Sequence, residues 1–149
     1  MIRPATVADL PAAEALLTSA GLTTDGVRDW IDRFLVADEG GLIAGVAGLE
    51  LYGDSALLRS VAVADELRGT GIGRALVERA LDAAAAAGAT EIFLLTMAAE
   101  GYFPRFGFTA VSRDAVSGPV LASAEFQGAC PASATVMRRR SAPIQRSRR

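Results

Sequence analysis

The stretch "SVAVADELRGTGIGRALVERALDAAAAAG", residues 60–88, constrains this chain more than any other. An apolar strand, "LLRSVAV", runs into a turn made of Arg68, Gly69, Thr70, Gly71, Ile72 and Gly73, and a long helix leaves that turn. Ile72, Leu76, Val77, Ala80 and Leu81 recur at helical spacing, Gly88 supplies a C-terminal stop, and the alanine run is helix propensity and not a linker. Glycines let the backbone come close to a guest, and the first N–H groups of a helix have no internal partners, so R-x-x-G-x-G at a helix start suits a phosphate. No Lys-Ser/Thr follows to bind a triphosphate and magnesium, and the preceding strand belongs to an antiparallel meander and not to a Rossmann unit. A pyrophosphate held mainly by backbone donors is the guest that remains. The competing reading is a plain tight loop.

The other elements follow from local signals. "TVADLPAAEALLTSAG" is a capped amphipathic helix, with Asp9 three residues after Thr6, one apolar face of Leu10, Ala13, Leu16 and Leu17, and a stop at Gly21. Ile2 before it suggests a short first strand. "TDGVRDWIDRF" predicts a second helix from Asp25 to Phe34, weakened by Gly26. "FLVAD" and "LIAGVAGLELY" flank "EGG", a hairpin signal, and "YGDS" turns into "ALLRSVAV", which predicts a three-stranded antiparallel meander. "EIFLLTM" is a buried strand, "AEGYFPRFGF" a short helix ended by Gly107, Phe108 to Val111 a further strand and "SATVMRRR" the last.

Composition narrows the chemistry. At 149 residues the chain is most simply one domain. It has neither histidine nor lysine, which excludes His triads, His-based metal sites and a catalytic lysine and leaves acid–base work to Asp, Glu, Tyr, Cys, water or the backbone. No metal is expected. Its single cysteine, Cys130, excludes an internal disulfide and fits a reducing compartment; a small buried hydrophobe is the favoured reading over a reactive or soft-ligand-binding thiol. Apolar runs stop short of the roughly 18 residues a membrane span needs, and no signal-peptide core opens the sequence, so a cytoplasmic protein with no membrane partner is expected. Six of the fifteen arginines fall in residues 138–149, and the remainder of the chain is acidic, which argues against nucleic acid and for a basic, frayed tail over 139–149.

The order of these parts, with "SVAVADELRGTGIGRALVERAL", "EIFLLT" and "EGYFPRFGF" in sequence, resembles the GNAT superfamily of acetyl-CoA-dependent N-acetyltransferases over residues 1–138. The resemblance implies an α/β fold, a mixed, largely antiparallel sheet of six to seven strands flanked by about four helices. It also implies acetyl-CoA as cosubstrate. "LYGDSALLRSVAV", "FLLT", "YFPRFGF" and "EFQGACPASATVM" look like the acetyltransferases of arsenic-resistance operons and are similar to short amino-acid acetyltransferases of the acetylglutamate-synthase kind.

Through that resemblance the backbone of Val61, Ala62 and Val63 would pair with the pantetheine arm as an added strand, with one amide polarising the thioester carbonyl. The amides of Gly69 to Arg74 would take the pyrophosphate, with Arg68 closing the turn and Arg74 adding charge. Many members carry "FYEKxGF" after the fifth strand, with the tyrosine hydroxyl near the CoA sulfur. Here Phe103 takes that position and cannot donate a proton, which leaves Tyr102, one residue earlier, as candidate acid or as a packing residue. Glu50, interrupting an apolar strand, is the candidate base; its rival reading is a solvent-facing strand residue. Arg59, two residues before Val61 and on its face if the strand is regular, is the candidate anion-binding group, against an ordinary surface arginine. Arg105 and Thr96 are further substrate candidates, although Thr96 also suits a cap on the following turn.

Three functions compete: an N-acetyltransferase of a small amino-acid-like amine, including an organoarsenical or related analogue in a detoxifying role; a protein or peptide N-acetyltransferase; and a non-catalytic acyl-CoA sensor. A monomer or homodimer is expected.

Overall fold

Two glycines with left-handed backbone, Gly40 (φ 66°) and Gly41 (φ 93°), close the "EGG" hairpin between β2 (Phe34–Glu39) and β3 (Leu42–Tyr52). Positive φ at both central positions is what a two-residue turn needs to follow the strand twist. Gly53 (φ 72°) does similar work before β4 (Ser55–Val63), and the expected meander forms. In this computed structural model, which describes residues 1–140, four more strands complete a seven-stranded sheet. They are β1 (Ile2–Pro4), β5 (Glu91–Thr96), β6 (Thr109–Val111) and β7 (Thr135–Arg140), and the spatial order is β1-β2-β3-β4-β5-β7-β6.

All strand pairs are antiparallel except β4 with β5, which run parallel and join only at Ser55 to Leu57 opposite Glu91 to Phe93. Past Leu57 the two strands part. β4 keeps its ladder to β3 as far as Val63, and β5 keeps its ladder to β7 as far as Thr96, so the sheet opens between them.

The long helix α2 (Ile72–Ala86) packs Leu76, Val77, Ala80, Leu81 and Ala84 against one face of the sheet, as its apolar spacing requires. Its close seat explains Gly45, where an added Cβ would lie 2.8 Å from a Leu76 methyl. On the other face α1 (Leu10–Ser19) buries Leu10, Ala13 and Leu17 with Ile31, Phe34, Val36 and Val46. Phe93, Leu57, Val116, Val120 and Val136 form a third cluster, under the segment between β6 and β7.

The four expected helical segments are α1, α2 and two 3₁₀ turns, Arg28–Arg33 and Phe103–Phe106. The segment at Asp25 is shorter than expected because Gly26 adopts φ 81°, which no α-helix contains. A second correction concerns the C-terminus: Arg139 and Arg140 lie in β7 opposite Ile92 and Glu91, and Arg140 donates to the Glu91 carboxylate at 2.9 Å. The rest of the expected basic tail, 141–149, lies outside the described residues. No helix among the described residues is long and apolar enough to cross a membrane.

Candidate active site

The opening between β4 and β5 is a cleft of about 800 Å³. One wall is β4 from Leu58 to Val63, the other is Leu94 to Thr96 of β5 with Tyr102 and Phe103, and the turn before α2 closes one end. Backbone donors dominate that end. Gly69 and Gly71 have positive φ (81° and 90°) and open space where a Cβ would be, and Ala75 is the residue that donates to Gly71 O. The amides of Ile72, Gly73 and Arg74 therefore precede the first turn of intrahelical bonds, beside the positive end of a 15-residue helix. At Gly73 a Cβ would come 3.3 Å from Val63 and 3.9 Å from the Tyr102 hydroxyl. The bare backbone lets strand, helix and tyrosine converge.

The charged residues of this turn are at the rim. Arg68 pairs with Asp65 at 3.2 Å and Arg74 with Glu78 at 3.3 Å, all well exposed, and the Thr70 hydroxyl donates to Leu67 O. Arg68 and Arg74 nevertheless line the cleft with Gly69, Gly71 and Gly73.

"YFPRFGF" divides into a core and a rim. Phe103 and Phe108 are buried, with ring centroids 5.9 Å apart, and Gly107 (φ 89°) ends the turn between them. Tyr102 caps the 3₁₀ turn, packs edge-on against Phe103 and Phe106, and carries the Arg105 guanidinium over its ring at 4.4 Å. Arg105 also donates to Tyr102 O, and both line the cleft. Thr96 lines it too, while its hydroxyl accepts from the Ala99 amide, so it also caps the turn.

The opposite end is polar and deeply buried. β4 is not regular there: Gly48 opposes Arg59 and Val46 opposes Ala62, so one residue of β3 faces two of β4, and Ser60 takes φ 61°. This β-bulge breaks the simple alternation expected between Arg59 and Val61. It corrects the expectation that the two share a face. Arg59, 3% exposed, packs so closely under the turn before Arg28 that a Cβ at Gly26 would meet its Nη1 at 3.1 Å.

Its partners come from three parts of the chain. Nη1 donates to Glu50 Oε2 at 2.7 Å, Nε donates to the Ser60 hydroxyl at 2.9 Å and stands 3.3 Å from Glu125 Oε2. Nη2 is buried and has no hydrogen-bond partner among the described residues. Glu50 is 1% exposed, so it does not face solvent, and Tyr52 donates to its other oxygen. The cleft wall includes Arg59, Ser60 and Glu125 but not Glu50, which stands behind the guanidinium.

No local sequence pattern marks Glu125 or Cys130 as a site residue. Both flank the irregular turn Glu125–Ala129, folded back over β4, and both line the cleft. Burial raises the Glu125 carboxyl above its ordinary range, against the pull of Arg59, and burial together with Glu125 pushes the Cys130 thiol up to about 12. Burial and the Glu50 carboxylate also raise the Tyr52 phenol. The thiol is thus a poor nucleophile here.

Comparison with known proteins agrees with this geometry. Residues 30–110 match the acetyltransferase (GNAT) domain family. An uncharacterized N-acetyltransferase of Chlorobaculum tepidum, CT2212, is 34% identical over 93 residues, which cover 62% of this chain and 59% of that protein. An amino-acid acetyltransferase of Mycobacterium tuberculosis is 33% identical over 133 residues, covering 81% and 75%. In fold, the chain is similar to N-acetylglutamate synthase from Neisseria gonorrhoeae, complexed with coenzyme A and N-acetyl-glutamate, at TM-score 0.81 and 22% identity, over 96% of this chain and 35% of that one. It is also similar to Rv2747 from Mycobacterium tuberculosis, solved in complex with CoA, at TM-score 0.79 and 23% identity, over 95% and 99%. The chain thus spans just under three fifths of the Chlorobaculum protein and about a third of the gonococcal one.

Proposed function

This chain belongs to the GNAT acetyltransferase family, and from that premise we propose that it transfers an acetyl group from acetyl-CoA to the primary amine of a small amino acid or amino-acid-like compound. One observation carries the reading: a single cleft joins the unpaired backbone donors at the start of α2 to a buried arginine that still has an unpartnered nitrogen. The amino-acid acetyltransferase of M. tuberculosis, matched over most of both chains, supports the acceptor class.

The residues present fit coenzyme A. The glycines at 69 and 71 leave open space, the amides of Ile72 to Arg74 face a phosphate-sized need for donors, and the parted edge of β4 at Val61 to Val63 offers main-chain partners to an extended arm. Bound there, the cosubstrate supplies an activated acetyl thioester. The chain's residues then have few tasks. The amides beside the Ser60 bulge stand ready to stabilise negative charge on a carbonyl oxygen. Tyr102 would give a proton to the leaving thiolate, a role supported by its place in the cleft wall beside Phe103. Arg59, held by Glu50 and Ser60, keeps Nη2 for a substrate carboxylate or a similar anion. Arg105 and Thr96 border the acceptor's side chain.

The test is acetyl-CoA turnover with the free amino acids, with organoarsenical and related amine analogues, and with peptides bearing a free N-terminus or a lysine. Turnover of free amino acids or their analogues is expected. Acetylation of peptides alone would assign a protein acetyltransferase, and CoA binding without turnover of any amine would assign a sensor. Tyr102→Phe is expected to lower kcat about 10- to 100-fold with little change in the KM for acetyl-CoA; an unchanged kcat would assign that proton to water.

A further inference from the structure

Resting on the reading above, we propose that Glu125 is the proton acceptor for the substrate ammonium, and that Arg59 and Glu125 together form a receptor for the paired carboxylate and ammonium of an α-amino acid.

The geometry that points there is the division of labour between two buried carboxylates. Both oxygens of Glu50 are occupied, one by Tyr52 and one by Arg59, and Glu50 lies behind the cleft wall. Glu125 is in that wall, and its nearest cation, Arg59 Nε at 3.3 Å, already donates at 2.9 Å to the Ser60 hydroxyl. A cation with a spare buried donor thus stands directly beside an anion with spare acceptor capacity. An α-amino acid carries the complementary charges on neighbouring atoms. Its carboxylate on Nη2 and its ammonium on Glu125 would give the spare donor and the spare acceptor partners of opposite charge.

The step balances without any further reactant. The ammonium gives one proton to the Glu125 carboxylate, the freed nitrogen lone pair forms the C–N bond, and the C–S bond breaks with its electron pair leaving on sulfur. The second proton shed by the nitrogen passes through Tyr102 or water to that thiolate, giving the amide and the free thiol of CoA. Glu125 then returns its proton to solvent through the cleft. Besides burial, the groups that act on its carboxyl are Arg59 on β4 and Cys130, which lower it, and Glu50 on β3, which raises it; Ser60 and Tyr52 bond Arg59 and Glu50, and Arg113 acts on the thiol. Burial keeps the carboxyl above its usual range, so a neighbouring ammonium would displace a proton from it.

The experiment uses the full chain with CoA bound, so that no transfer occurs. L-glutamate is the first probe, followed by whichever α-amino acid turns over fastest in the panel, and each is titrated calorimetrically in two buffers of different ionisation enthalpy to count protons. The matching 2-hydroxy acid, which has the carboxylate but no ammonium, is the control and needs no variant. The amino acid should release more protons than the hydroxy acid, and Glu125→Gln should abolish the difference. In turnover, Glu125→Gln should lower kcat about 100-fold and remove the acidic limb of kcat/KM while CoA affinity is kept. Equal proton counts for the two acids in the wild type, or a Glu125→Gln enzyme with an intact acidic limb, would overturn the proposal alone. Absence of turnover with every amine would overturn the function on which it rests, and the proposal with it.

Discussion

Two arginines in this molecule each stand between two carboxylates, and they are built for different ends. At the edge of the sheet, Arg3 grips Asp9 with Nη1 and Nη2 at 2.8 and 2.9 Å, reaches Asp38 with Nε at 3.1 Å, and spends a further Nη1 bond on Pro4 O. Every nitrogen is used, and all three side chains touch solvent. Asp9 also accepts from the Thr6 amide, which closes the start of the first helical segment. Arg59 is fully buried, yet one nitrogen is unspent and one of its two acids is raised by burial, not lowered by pairing. The edge cluster is complete and serves the fold. The inner one is incomplete in the direction of the cleft, and a buried unpartnered donor is costly unless something supplies its acceptor.

The largest effect should come from breaking the inner cluster where it is complete. Glu50→Ala would leave the Arg59 charge buried without its shortest bond, and a loss of about 3–5 kcal/mol in denaturant unfolding is expected. A loss below about 1 kcal/mol would mean that water reaches Arg59 and that the cluster is not buried in the sense described. Asp9→Asn should cost less, about 1–2 kcal/mol near neutral pH. Arg3 and the Thr6 amide hold the Asp9 carboxyl down at about 2, so this contribution is present above the ordinary range of an aspartate and fades as pH falls through about 2. Unfolding of the two proteins, followed between acid and neutral pH, checks the sign. Salt should weaken the edge contribution and leave that of Glu50 nearly untouched. The smallest effect separates the two acids of the inner cluster. Because burial raises Glu125, the wild type loses stability as pH rises through its folded-state titration, and Glu125→Gln should gain relative to it on the alkaline side only.

How much of this was legible in the sequence depends on the range of the signal. "EGG", "YGDS" and the glycine turn before α2 are read from residues that touch their own neighbours, and each forms where expected. The spacing of Leu76, Val77, Ala80 and Leu81 gave the buried face of α2 for the same reason. Asp25 to Phe34 carries apolar residues at helical spacing, but Gly26 takes a left-handed backbone and Arg59 of β4 approaches it closely, neither of which the periodicity shows, so it overstates the helix. The Ser60 bulge leaves no local mark, since serine is an ordinary strand residue until the register against β3 is known. Glu50 was marked by its place in an apolar strand, but its partners come from β4 and from its own strand two residues on. Glu125 was the least visible. It lies in a segment without regular periodicity, and only the fold brings it 3.3 Å from an arginine 66 positions earlier. A lone acid between "LASA" and "FQGAC" was the available hint.

The central claim is that the spare nitrogen of Arg59 makes the inner cluster a place for an acceptor's carboxylate. Its most direct test leaves the protein unaltered: kcat/KM for the amino acid that turns over fastest is compared with that for the amine made by removing its α-carboxylate. A fall on the order of 100-fold for the amine is expected, since the buried donor would then go unpaired. Equal values for the two would contradict the claim and return Arg59 to a purely structural role.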